Sequence, residues 1–124
     1  MSGDDIEQWV GRRDLPPTLR KHVHAVVIAL PAPVIEDLLH DPGFTIAAGD
    51  PGAVRLAAPG RDRPARSVLL RRSLITRSVA FIRWVIAHEL AHAFLRNADA
   101  HPHEPAEADA DKLAADWGFP RPSD

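Results

Sequence analysis

The chain has 124 residues, 45% hydrophobic and 26% charged, with a net charge of −2, so it can bury one modest core and is not built to coat nucleic acid or an anionic membrane. It has no cysteine, which excludes disulfides and thiolate metal sites and leaves nitrogen and oxygen as the only metal ligands. No apolar run reaches the roughly 18 residues of a membrane span, and the polar start MSGDDIEQWVGRRD has no signal-peptide character, so a cytoplasmic protein is expected.

Residues 1–14 read as a flexible or loosely docked N-terminal arm. A helix is expected from about Asp14, with Pro16 and Pro17 in its first turn and Leu15, Leu19, Val23, Val26, Val27 and Leu30 at helical spacing. Pro31 and Pro33 break that run. Val34, Ile35, Leu38 and Leu39 predict a second short helix, stopped at Asp41-Pro42-Gly43. Phe44-Thr45-Ile46 reads as a strand, Val54 with Leu56 as another, and PGRDRPAR (59–66) as a polar loop. Val68, Leu70, Arg72 and Leu74 alternate, which predicts a strand over 67–75.

From Thr76 the period changes. Thr76 or Ser78 can cap a helix carrying Phe81, Ile82, Val85, Ile86, Leu90, Phe94 and Leu95, apolar on most sides and so expected at the centre of the fold. Residues 97–104 read as a loop. Pro105 suits the first turn of a last helix that ends at Gly118, with Ala106, Ala110, Leu113 and Trp117 as its buried stripe. Trp84, Phe94 and Trp117 are expected to pack helices together.

Within the central helix stands VIAHELAH, residues 85–92. His88 and His92 are four apart and project from one face, one turn from each other, which lets two imidazoles share one Zn²⁺. Glu89 follows the first histidine about 100° around the helix, beside the metal rather than on it, where a general base belongs. Burying this trio without partners would cost several kcal/mol, and a bound ion removes that conflict.

Two histidines do not complete a catalytic zinc site, which takes three protein ligands. The extended motif with a glycine and a third histidine fails, because those positions are Leu95 and Ala98. The last helix, EPAEADADKLAADWGF, offers carboxylates instead. Glu107 and Asp111 lie one turn apart on the edge of its apolar stripe. Glu107 is the candidate third ligand, and Asp111 the candidate acceptor of a hydrogen bond from a ligand histidine, behind the ligands themselves. The competing reading makes both solvated surface acids.

HELAH followed by EADAD resembles the gluzincin metallopeptidases, and most of all the minimal bacterial gluzincins and the ImmA/IrrE-type peptidase domain. The resemblance covers about residues 67–119. It implies an α+β fold: a small zincin-like domain over residues 15–119, with a short, mostly antiparallel sheet packed on the active-site helix, a following glutamate-bearing helix, and a tail at 120–124. It implies a zinc-dependent endopeptidase, one ion per chain, with Glu89 as general base for a metal-activated water. A peptide or protein substrate would lie in extended form along the edge strand at 67–75. Many gluzincins steady the oxyanion with Tyr or His; this chain has no tyrosine, leaving His101, His103 and Arg96 as candidates, each otherwise a solvated loop residue. The tail PRPSD is a candidate inhibitory segment across the cleft.

Arginines 61, 63, 66, 71, 72, 77 and 83 raise a nucleic-acid face as a possibility. Without interleaved aromatics for base stacking, a solvated strand and loop face is the preferred reading. The alternative function is a non-catalytic, zinc-stabilised domain that binds a protein or DNA partner.

Overall fold

A computed structural model describes residues 2–49, 66–95 and 104–123. These form five α-helices, α1 (Gly3–Gly11), α2 (Pro17–Ile28), α3 (Ala32–Leu39), α4 (Val79–Leu95) and α5 (Glu104–Asp116), and two strands, β1 (Phe44–Gly49) and β2 (Arg66–Arg71). The class is α+β, as expected.

The expected N-terminal arm is instead a docked helix. Ser2 caps α1 by accepting from Asp5 N–H, and the Asp5 carboxylate reaches back to Ser2 N–H, a complete capping box. Ile6, Trp9 and Val10 then share one face and are buried in the core. Trp9 stacks on Phe44 with ring centroids 5.4 Å apart, and Arg13 covers its other side at 4.2 Å. An apolar trio at i, i+3, i+4 behind a cap is enough to hold a short helix down.

The sheet corrects a second expectation. β1 and β2 pair in parallel, in register from Phe44 opposite Arg66 to Gly49 opposite Arg71. A parallel pair needs a connection of about a dozen residues or more, and residues 50–65 between the strands are long enough to supply it. The strand expected at Val54 and Leu56 falls in that segment, outside the described residues. β1 runs on through Ala47, Ala48 and Gly49, all buried small residues that let the strand lie deep in the core. β2 is shorter than the alternation suggested: it ends at Arg71, and Arg72–Thr76 form a 3₁₀ turn. Thr76 Oγ1 donates to Ser73 O (2.8 Å) and Arg77 N–H to Leu74 O (3.0 Å), which curls the chain while keeping Leu74 buried.

Ser78, not Thr76, starts α4: its Oγ accepts from Phe81 N–H (3.2 Å) and its carbonyl from Ile82 N–H (2.9 Å). α4 packs against α2, α3, α5 and β2, which is why its circumference is apolar nearly all round. Arg66, at the start of β2, is buried and braces the elements around α4. Its guanidinium bonds Asp37 Oδ2 (2.8 Å) on α3, Asp41 Oδ2 (2.6 Å) just beyond it, and the Ala93 carbonyl (3.4 Å) on α4. Burial alone would lower the arginine's pKa; hydrogen bonds and the charges of Asp37 and Asp41 outweigh it and raise it.

α5 ends in a Schellman motif. Gly118 takes φ +99°, Gly118 N–H donates to Ala115 O (3.0 Å) and Phe119 N–H to Ala114 O (2.9 Å). Ala106, Ala110, Ala114 and Trp117 are the buried stripe, the small side chains letting α5 lie close along α4. Phe94 meets Trp117 edge to face at 6.3 Å. Among the described residues, no helix is long and apolar enough to cross a membrane.

Candidate metal centre

The helical repeat places His88 and His92 on the side of α4 that faces α5, and Glu107 and Asp111 one turn apart on α5 opposite them. Three ligand atoms converge. His88 Nε2 lies 2.8 Å from Glu107 Oε2, His92 Nε2 lies 3.2 Å from Glu107 Oε1, and the two Nε2 atoms are 3.1 Å apart. His88 is buried; His92 and Glu107 are half-buried.

The fourth residue decides what this cluster can hold. Asp111 Oδ1 lies 2.8 Å from His88 Nδ1, so the imidazole N–H there donates to the carboxylate. In a neutral imidazole that uses the single N–H, and Nε2 is left as a lone pair. That lone pair faces a Glu107 oxygen at 2.8 Å and His92 Nε2 at 3.1 Å. Two acceptors, the His88 Nε2 lone pair and the Glu107 carboxylate, are stable at that distance only with a proton or a cation between them. Tetrahedral zinc with ligands at ~2.0–2.1 Å holds them about 3.3–3.4 Å apart; two spacings here, 3.1 and 3.2 Å, are close to that, and the third, His88 Nε2 to Glu107 Oε2 at 2.8 Å, must widen to admit an ion. Among the described residues His88, His92 and Glu107 are the group whose ligand atoms can share one ion, all lying within 4.8 Å of each other.

Trp84 completes the surroundings. Its indole Nε1–H donates to the same Asp111 Oδ1 (3.2 Å), and its ring lies 5.6 Å from that of His88. Asp111 is therefore fixed from two sides and in turn fixes the orientation of His88. Reading the sequence placed Trp84 with the packing residues. The signal that could have found it is its position four residues before His88, on the same face of the helix. In the C-terminal tail, Arg121 sits over the Trp84 ring at 5.1 Å.

Glu89 follows His88 around α4, close enough to the cluster to feel the charges of His88, His92 and Glu107. It is half-buried and lines a cleft of about 520 Å³ between β2, the 3₁₀ turn and α4. Burial pushes its carboxyl above the ordinary value; charge on His88 and His92 pulls it down, and the Glu107 carboxylate pushes it up again. Arg71, Arg72 and Arg77 are exposed, as expected for a solvated face, whereas Arg66 is buried. Arg96, His101 and His103, the candidate oxyanion groups, and Arg61 and Arg63 lie outside the described residues.

Compared with protein-family models, with curated proteins and with solved structures, the chain finds no significant match.

Proposed function

We propose that this chain is a zinc-dependent endopeptidase of the gluzincin type, with His88, His92 and Glu107 as the ligands of one ion. The observation that supports the reading is the approach of His88 Nε2, His92 Nε2 and the Glu107 carboxylate to one another, with Asp111 accepting from His88 Nδ1–H. Zinc bound by this donor set supplies Lewis acidity, polarising a carbonyl oxygen and making a nearby water acidic enough to attack near neutral pH.

The chain's own groups supply the proton traffic. Glu89 stands next to the ligand His88 but opens into the cleft, so its carboxylate can take the proton of the attacking water and pass it to the leaving amine nitrogen. Its burial favours the protonated form and so makes the carboxylate a stronger base than a solvated one. Asp111 keeps the proton of His88 on Nδ1, leaving Nε2 to the ion. Substrate access runs along β2. That strand pairs with β1 on one edge, and among the described residues no strand pairs with the other, along which an extended peptide would add.

The test is a pair of measurements on zinc-loaded protein offered a mixture of peptides, with new termini read by mass spectrometry. Wild type is expected to cut. Glu89→Gln is expected to retain one zinc and to cut roughly 100-fold more slowly or worse. Equal cleavage by Glu89→Gln removes Glu89 from the mechanism. If zinc stays bound and neither form cuts any peptide, the alternative of a non-catalytic zinc-stabilised binding domain takes over.

A further inference from the structure

We infer that the cleft beside Glu89 selects an extended peptide carrying a large apolar side chain and, two residues away, an acidic one. The inference rests on the peptidase reading for its consequence, but not for the binding preference itself.

The cleft has two chemically distinct parts. Leu69, Leu74, Phe81 and Val85 supply apolar wall, and the volume of about 520 Å³ has room for a leucine- or phenylalanine-sized side chain with its backbone. Arg71 and Arg77 stand in the same lining, both exposed, and among the described residues Glu89 is the only acid there. Arg77 is held by its guanidinium stacked 3.7 Å from the Phe81 ring centroid, which keeps the charge at the rim and its outer edge toward water. Among the described residues neither Arg71 nor Arg77 forms an ion pair, in contrast to Arg66, whose two carboxylates neutralise it. Among the described residues the rim is thus a cationic surface with no carboxylate partner, set against an apolar floor.

The strand geometry turns this into a spacing. Residues 67, 69 and 71 share one face of β2, the first two half-buried and Arg71 exposed, while 66, 68 and 70 are buried. A peptide paired along the edge of β2 opposite β1 follows the same period, so side chains facing Leu69 and Arg71 come from positions two apart. An aliphatic or aromatic residue meets Leu69 and the apolar floor. The residue two positions on meets the Arg71 guanidinium, where a carboxylate is attracted and a lysine repelled. Arg77, in the same lining, adds to that field.

Three dye-labelled peptides test this, identical except for Asp, Ala or Lys two residues from a single Leu. Their affinity is read by fluorescence anisotropy on zinc-loaded Glu89→Gln protein, which holds them uncut. The Asp peptide is expected to bind tightest and the Lys peptide weakest, spanning roughly tenfold at low salt and shrinking as salt screens the rim. With Arg77 left in place, Arg71→Gln is expected to narrow the span and Arg71→Glu to abolish the order; both replace an exposed side chain, and circular dichroism checks the fold. Equal affinities, no binding of any peptide, or an order that survives Arg71→Glu overturns the inference. Cleavage by wild type is scored separately. The expected binding order without cleavage sinks the peptidase reading and leaves the cleft preference standing, whereas cleavage without the order does the reverse.

Discussion

Replacing Asp111 with alanine probes the step that connects the two helices to the metal. Asp111 Oδ1 accepts from both His88 Nδ1–H and Trp84 Nε1–H. The substitution removes the one acceptor that fixes the histidine's tautomer and ring orientation. Loss of such a partner costs roughly 10- to 100-fold in metal affinity, about 1.4–2.7 kcal/mol. The Asp111 side chain is 34% exposed, so water partly replaces it and the lower half of that range is expected. Asp111→Asn keeps a carbonyl acceptor but loses the charge, and its loss should be smaller. Competition for zinc against a chromophoric chelator measures both, with circular dichroism to show that the helices persist. A dissociation constant for Asp111→Ala within twofold of wild type would refute the claim that Asp111 orients His88.

Three further outcomes follow from the fold. Arg66→Met removes the buried cation that Asp37 and Asp41 share and should cost about 3 kcal/mol in urea unfolding, since the desolvation of the pair is then uncompensated; a loss under about 1 kcal/mol contradicts the brace. Gly118→Ala forces an L side chain to φ +99° where no atom lies within 4 Å of the added carbon, so about 1–2 kcal/mol of purely conformational cost is expected from the unfolding midpoint, and no change contradicts it. His22 accepts from Arg83 Nε–H (3.2 Å), and burial first, then the charges of Arg83 and Lys21, lowers its pKa. The unfolded chain then takes up that proton first, so this contribution to stability is intact above the unfolded value of about 6.5 and declines as pH falls below it, levelling off under the folded pKa. Unfolding midpoints across that window should fall less steeply for His22→Asn than for wild type; parallel curves would refute the assignment.

What the sequence made legible was what periodicity and short-range spacing encode. His88 and His92 share a helix face because they are four apart, and Glu107 and Asp111 do so for the same reason, so each pair was readable before either helix was placed. That the two pairs meet depends on the alanines at 106, 110 and 114, whose small size sets how close α5 approaches α4. Trp84 looked like packing because an indole is mostly hydrocarbon; only the position of Asp111 gives its N–H a partner. The docked α1 was hidden by its polar exposed face, which outweighs Ile6, Trp9 and Val10 in composition although not in burial. Strand direction was not readable at all, because alternation fixes which face of β2 is buried and says nothing about how β1 runs beside it.

The central claim is that two imidazoles of α4 and one carboxylate of α5 hold a single zinc ion. Diffraction from crystals grown with one equivalent of zinc, collected on both sides of the zinc absorption edge, locates the ion independently of any activity. One anomalous peak per chain is expected, about 2.0–2.2 Å from His88 Nε2, His92 Nε2 and a Glu107 oxygen. A peak elsewhere, no peak, or Glu107 turned to solvent with the histidines alone on the ion would contradict the account.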